Sequence, residues 1–274
     1  MKLLFVVNPV SGGVDKEPFL KDADALCDKF GIDHKIFKTT GKNDKKKVKA
    51  LLSEYKPDKV LSVGGDGTTL FTALALLDSE MPMGIIPLGS ANGMASELFV
   101  DPDPMEALKE VIMSGKIAGL DLLKVNGEHF TIHMGDVGVN AQIVEAYEKD
   151  ANRGMATYAR YFVEELTRLE PFPVAIHANG EKRNEKSLMV AICNARKYGT
   201  GVPLNVEGNP MDGKFELVLV TDISVNSLIK AGLSAFDESF YDNQSSQVIS
   251  TEYADIEFDE PRLLQLDGEV IGKF

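Results

Sequence analysis

Three short stretches of the 274-residue chain combine residue types that can hold a polyphosphate. They are "NPVSGG" (Asn8 to Gly13), "GGDGT" (Gly64 to Thr68) and "PLGSANG" (Pro87 to Gly93), and each follows a short apolar run. Glycine lets the backbone approach an anion closely, and a helix N-terminus offers unpaired N–H groups at the positive end of its dipole. Asp66 is the odd member, because a carboxylate repels phosphate unless a metal ion or a phosphate-accepting hydroxyl lies between them. An isolated "GGDGT" reads equally as a tight strand-to-helix turn capped by Asp66 or Thr68. Three such loops on one sheet edge favour a phosphate cradle instead. GxxxxGK[ST] and GxGxxG are both missing, so the nucleotide is held without a P-loop lysine.

Carboxylates form the second group. In "LLQLDGEVIG" (Leu263 to Gly272), strand alternation puts Asp267 and Glu269 on one face. Two neighbouring carboxylates raise one pKa, which suits a general base. The alternatives are a polar solvent face or a turn at Asp267-Gly268. In "NPMDG" (Asn209 to Gly213), Asp212 and nearby carbonyls offer the hard oxygens that Mg2+ prefers. A type I turn explains the same residues equally well. His129 and His133 flank "FTI" in a strand-like run and read as packing residues.

The elements that position these groups follow from hydrophobic periodicity. Leu3 to Val7, Ile32 to Phe37, Val60 to Val63 and Met83 to Ile86 read as strands. Phe19 to Phe30, Val48 to Tyr55, Thr68 to Leu77 and Pro104 to Met113 read as helices. This alternation predicts a parallel, doubly wound α/β sheet over residues 1–122. The rhythm then changes. Asn126-Gly127 signals a hairpin, and Asn179-Gly180 another with a longer loop. "EKRNEK" (Glu181 to Lys186) reads as a hairpin tip, while "FELVLV" and "ADIEFD" read as strands. Helices are expected at Gln142 to Lys149 and Met155 to Leu169. Residues 123–274 are therefore expected to form a mainly antiparallel β domain, with the boundary between residues 118 and 125.

Composition narrows the function. The net charge of −13, from 29 basic and 42 acidic residues, argues against nonspecific nucleic-acid binding and a polybasic grip on anionic lipid. The basic run Lys42 to Lys49 reads as the solvated face of a helix. Cys27 and Cys193 lie in no paired motif, which suits a reducing, cytoplasmic compartment. No run is long enough to span a bilayer, and Leu3 to Val7 is too short for a signal sequence.

Five motifs in order, Asn8-Pro-Val-Ser-Gly12, "GGDGT", "PLGSAN", "MDGKFEL" from Met211 and "LDGE" ending at Glu269, resemble the diacylglycerol kinase catalytic-domain family. That family includes bacterial soluble lipid kinases and the sphingosine and ceramide kinases. The resemblance covers nearly the whole chain. It implies an N-terminal nucleotide domain, a β-sandwich-like C-terminal domain, and ATP bound in a cleft between them. Asn8, Ser11, Gly12, Gly64, Gly65, Asp66, Gly67, Thr68, Ser90, Asn92 and either Thr39 or Thr40 would line the nucleotide. Asp212, with the carbonyls of Asn209 and Lys214, would hold a structural Mg2+. Glu269 would be the general base, with Asp66 and Asp267 as further catalytic carboxylates. The acceptor would be the hydroxyl of diacylglycerol or a related lipid, reached by transient contact with a membrane surface. A homodimer is left open.

Many bacterial members read GTxND where this chain has Gly89-Ser90-Ala91-Asn92-Gly93. Gly93 therefore replaces an aspartate of the magnesium network. The Gly-Ser form resembles the sphingosine kinase loop, which leaves a sphingoid acceptor open. Two other functions compete: an NAD kinase, which shares the "GGDGT" loop, and a non-catalytic lipid or nucleotide sensor.

Overall fold

The computed structural model describes residues 1–77, 79–138, 170–197, 203–221 and 246–274. The helices expected at Gln142 to Lys149 and Met155 to Leu169 lie outside the described residues. The chain divides into two compact units, Met1–Ala118 and Gly119–Phe274, so the division falls four residues before the expected start of the second domain.

In the first unit, strands β1 (Lys2–Val7), β2 (Asp33–Lys38), β3 (Lys59–Gly64) and β4 (Met83–Pro87) form one parallel sheet in the order β2-β1-β3-β4. Helices α1 (Glu17–Phe30), α2 (Asp44–Tyr55), α3 (Asp66–Leu76), α4 (Gly93–Glu97) and α5 (Pro104–Met113) complete it. The continuous apolar run of β1 is explained by cover on both faces. Leu3, Phe5 and Val7 pack with Phe19, Leu20 and Ala23 of α1 and Ala107 and Leu108 of α5. Leu4 and Val6 point the other way, against Val48 of α2 and Ala75 and Leu76 of α3. Full burial of each large side chain contributes about 1.5–3 kcal/mol. The lysines at 45, 46, 47 and 49 of α2 are exposed, while Val48 between them is buried.

Three helix ends have a clear local cause. Pro104 opens α5, and the Asp103 carboxylate caps the amides of Met105 and Glu106. Gly31, in the left-handed region, ends α1 by returning its amide to Asp28 and Cys27 carbonyls. At the entry to α2, Asp44 is buried and accepts the amides of Thr40 and Gly41 and the Thr40 hydroxyl.

The second unit is built from antiparallel sheets. Strands β5 (Leu123–Val125) and β6 (His129–Thr131) make a hairpin. Strands β7 (Met134–Gly138), β8 (Phe172–Ala178), β9 (Glu181–Ser187), β10 (Met189–Cys193), β11 (Phe215–Val220), β12 (Ser246–Thr251), β13 (Ala254–Phe258), β14 (Leu263–Leu266) and β15 (Glu269–Lys273) follow. They form a six-stranded sheet, β12-β11-β10-β7-β14-β15, and a three-stranded sheet, β13-β8-β9. Val190, Ile192, Leu217, Leu219, Leu264 and Leu266 of the first sheet pack on Phe172, Val174 and Ile176 of the second. That shared core makes the unit a sandwich.

Two local expectations are corrected. Ala178 pairs directly with Glu181, so Asn179-Gly180 is a two-residue turn, with φ of 54° and 78°, and not a longer loop. "EKRNEK" is no hairpin tip but lies within β9, an edge strand whose exposed charges guard it against further pairing.

Candidate functional site

The loops after β1, β3 and β4 leave the carboxyl ends of adjacent parallel strands. In the order β2-β1-β3-β4 the chain direction of assembly reverses between β1 and β3, the switch point at which open α/β sheets bind ligands. "NPVSGG" and "GGDGT" flank that point. Backbone bonds register them: Asn8 N–H donates to the Val63 carbonyl at 3.1 Å, and Leu88 N–H to the Gly64 carbonyl at 2.9 Å.

The glycines are required by backbone-to-backbone approach. A Cβ at Gly12 would lie 2.7 Å from the carbonyl carbon of Gly89, and one at Gly89 would lie 2.2 Å from the Cα of Gly65. Gly12 also has a φ of +64°. Where the backbones of the three loops approach most closely, only glycine fits. The Ser11 hydroxyl is within hydrogen-bond reach of the carbonyls of Leu88 (3.3 Å) and Asn8 (3.2 Å). The Asn8 side chain accepts the Val10 amide. The Asn92 side chain closes its own loop, accepting the Gly89 amide and donating to the Gly89 carbonyl.

Asp66 has backbone partners within the fold that the sequence reading did not foresee. Its carboxylate accepts the amides of Gly93 at 2.9 Å and Met94 at 2.8 Å, tying the second loop to the third. At the start of α3, the amides of Asp66 and Gly67 meet no acceptor among the described residues, whereas those of Thr68 and Thr69 both turn back to the Gly65 carbonyl. Gly67 is exposed, with open space where a Cβ would stand. Among the described residues the buried Thr68 hydroxyl has no partner, and a Cβ at Gly64 would meet both it and the Ser11 hydroxyl. Two free amides, an orphan hydroxyl and a helix dipole at a glycine-walled surface suit an anion.

Ser90 is exposed at the tip of the third loop. Thr39 directly follows β2 and donates its amide to the Val7 carbonyl, which sets it beside the first loop. The Thr40 hydroxyl is committed to Asp44, so Thr39 is the better placed of the two threonines.

In the second unit, Leu266 pairs with Glu269 across Asp267-Gly268, whose φ values are 50° and 83°. This is a two-residue hairpin turn. Asp267 and Glu269 therefore do not share a strand face, contrary to the alternation expected from the sequence. The Asp267 carboxylate accepts the Thr131 hydroxyl and the amides of Ile132, His133 and Met134, the amides at 3.1 to 3.2 Å. Burial pushes this carboxyl above its ordinary range, against the pull of those donors and His133. Glu269 begins β15 and is exposed.

The "NPMDG" turn is exposed apart from the buried Pro210, and it is rich in oxygen. The Asp212 carboxylate accepts the Lys214 amide at 3.0 Å, and the Asn209 side chain accepts the Met211 amide. Asp121, unremarked in the sequence, binds the same turn from 92 residues away: its carboxylate accepts the Gly213 amide and its amide donates to the Pro210 carbonyl. No local pattern could have revealed that pairing. The Asp212 carboxylate oxygen outside this turn bond and the backbone carbonyls of Asn209 and Lys214 are of the hard oxygen type that Mg2+ prefers. Among the described residues no cluster of three or more His, Cys, Asp or Glu side chains could hold a metal, so carbonyls or waters would have to complete it. The His129 ring packs edge-on against Phe274.

Among the described residues, no helix is long and apolar enough to cross a membrane. Residues 2–125 match the family model of the diacylglycerol kinase catalytic domain, and residues 134–274 match that of the YegS C-terminal NAD kinase beta sandwich-like domain. A "Probable lipid kinase YegS-like" protein of Pectobacterium atrosepticum is 28% identical over 97% of this chain and 88% of its own length. Its namesake in Klebsiella pneumoniae is 30% identical over 77% of this chain and 72% of its own. A "Diacylglycerol kinase" of Bacillus subtilis is 24% identical over 97% and 89%. In fold, the crystal structure of a diacylglycerol kinase from Bacillus anthracis superposes with a TM-score of 0.72 at 23% identity, covering 98% of this chain and 90% of the other.

Proposed function

Because the chain belongs to the diacylglycerol kinase catalytic-domain family of lipid kinases, we propose that it transfers the γ-phosphate of ATP to the hydroxyl of diacylglycerol or a related lipid. The observation that carries this reading is the meeting of three glycine loops at the β1/β3 switch point, with two unpaired amides and the unpartnered Thr68 hydroxyl. The Asp66 and Gly67 amides would bind phosphate oxygens, with Gly12 and Gly89 keeping side chains out of their way. Ser90 and Thr39 would add hydroxyl contacts. Phosphoryl transfer demands mainly positioning and charge neutralisation, which suits a rigid backbone cradle.

Asp212 and the carbonyls of Asn209 and Lys214 would hold Mg2+, which when bound supplies positive charge and stiffens that turn. Glu269 would take the proton from the lipid hydroxyl. An exposed carboxylate beginning a strand is free to do so. Asp267 would support it by fixing the turn it leaves, without touching the reacting atoms. With no bilayer-spanning helix described, the enzyme would meet its lipid by transient contact with a membrane surface.

The test is phosphate transfer from ATP-Mg to diacylglycerol, a sphingoid base and NAD, the lipids in detergent micelles, with Glu269→Gln alongside. Lipid phosphorylation lost in that variant supports the proposal. Phosphorylation of NAD alone points to an NAD kinase, and nucleotide binding without turnover points to a sensor.

A further inference from the structure

Lys16 precedes α1, and although Gly12, Gly13 and Val14 before it are exposed, Lys16 itself is only 3% exposed. Its ammonium donates to the carbonyls of Ser11 and of Val14 (2.7 Å), so it closes the "NPVSGG" loop from beneath. Its third N–H meets no acceptor, and it makes no ion pair, among the described residues.

Such a placement is costly. Carbonyl dipoles offset only part of the desolvation of a buried ammonium. Its position at the start of α1 adds to the cost, because the helix dipole is positive there. Burial pulls its pKa below the ordinary lysine value, against the pull of the neighbouring Asp15 carboxylate. The Asp15 carboxylate is turned to the Glu17 amide. A buried cation, a helix N-terminus and the unpartnered Thr68 hydroxyl beside Ser11 thus converge on one loop with too little negative charge. An anion in that loop would supply what is missing.

We propose that Lys16 is a phosphate-binding residue: its ammonium fixes the Ser11–Val14 turn through two carbonyls and gives its remaining N–H and its charge to a polyphosphate lodged on Gly12. It would do the work of the absent P-loop lysine from a different place in the chain. This inference rests on the nucleotide reading of the glycine loops.

The test is calorimetric binding of ATP, inorganic tripolyphosphate and adenosine to the full chain and to Lys16→Met. The expected result is a loss of roughly tenfold or more for ATP and tripolyphosphate, with adenosine affinity nearly unchanged. An equal loss for adenosine, or a loss for ATP below about threefold, overturns the inference and leaves the nucleotide site standing. A wild-type protein that binds neither ATP nor tripolyphosphate removes the nucleotide reading itself, and this inference with it. Should Lys16→Met not fold, the Nζ resonance of Lys16 in the wild-type protein decides. It is expected to shift on saturation with tripolyphosphate, and an unmoved resonance overturns the inference.

Discussion

The carboxylate of Asp66 accepts the backbone amide of Gly93 at 2.9 Å, so the loop after β3 holds the loop after β4 with a charged acceptor. A second bond, from Met94 at 2.8 Å, strengthens the tie. Asp66→Ala strips both amides of their acceptor and should cost about 1–3 kcal/mol of stability, read as a lower midpoint in urea unfolding. An unchanged midpoint would show that the contact contributes nothing.

Glycines in the cradle should separate into two kinds. Gly89→Ala forces a methyl to within 2.2 Å of the Gly65 backbone and should destabilise by about 1–3 kcal/mol or more. Gly67→Ala meets open space inside a helix and should leave the fold unharmed, or stabilise it by roughly 0.5–1 kcal/mol. Its methyl would still stand where a phosphate must approach, so ATP affinity should fall about tenfold, or 1.4 kcal/mol. Thermal unfolding and calorimetry on the same two variants check both halves.

Asp267 and Glu269 should behave oppositely. Asp267→Ala leaves a hydroxyl and three amides without their acceptor, and a loss of about 2–4 kcal/mol in stability is expected. Glu269→Gln changes an exposed side chain and should leave unfolding within about 0.5 kcal/mol of wild type, while phosphate transfer to lipid disappears. Equal losses of stability in the two variants would contradict this division of roles.

Asp44 links stability to pH. Burial alone would raise its carboxyl, but the Thr40 amide and hydroxyl, the Gly41 amide and Lys47 together hold it below the ordinary value of 3.8. The ionised form is therefore favoured in the folded state. Its stabilisation is fully present above pH 3.8 and drains away as pH falls through the depressed folded value. Asp44→Asn should accordingly unfold more easily than wild type at neutral pH, and the gap should close in strong acid. A gap independent of pH would assign the effect to packing.

Much of this was legible in the residues. Leu3 to Val7 read as a strand covered on both faces because its run is unbroken, and Asn126-Gly127 announced its hairpin because few other pairs tolerate two positive φ angles. The three loops were visible for the same reason: glycine advertises close approach. Asp267-Gly268 carried an equal turn signal, yet two carboxylates spaced by one residue also fit strand alternation, and only pairing between Leu266 and Glu269 separates those readings. What stayed hidden depends on partners distant in sequence. Asp121 meets the Gly213 amide across 92 residues, and Asp66 meets Gly93 across 27. Lys16 lay in plain view, but its burial under the first loop follows from the path of the backbone between Ser11 and Glu17, which no periodicity encodes.

The claim on which the others depend is that the glycine loops bind a triphosphate through the start of α3. Titration of the wild-type chain with ATP-Mg, followed by backbone amide NMR, addresses it directly. Saturable shifts should be largest at Gly12, Asp66, Gly67 and Ser90, and adenosine alone should not reproduce those at Asp66 and Gly67. Saturable binding that leaves these two amides unmoved would contradict the account.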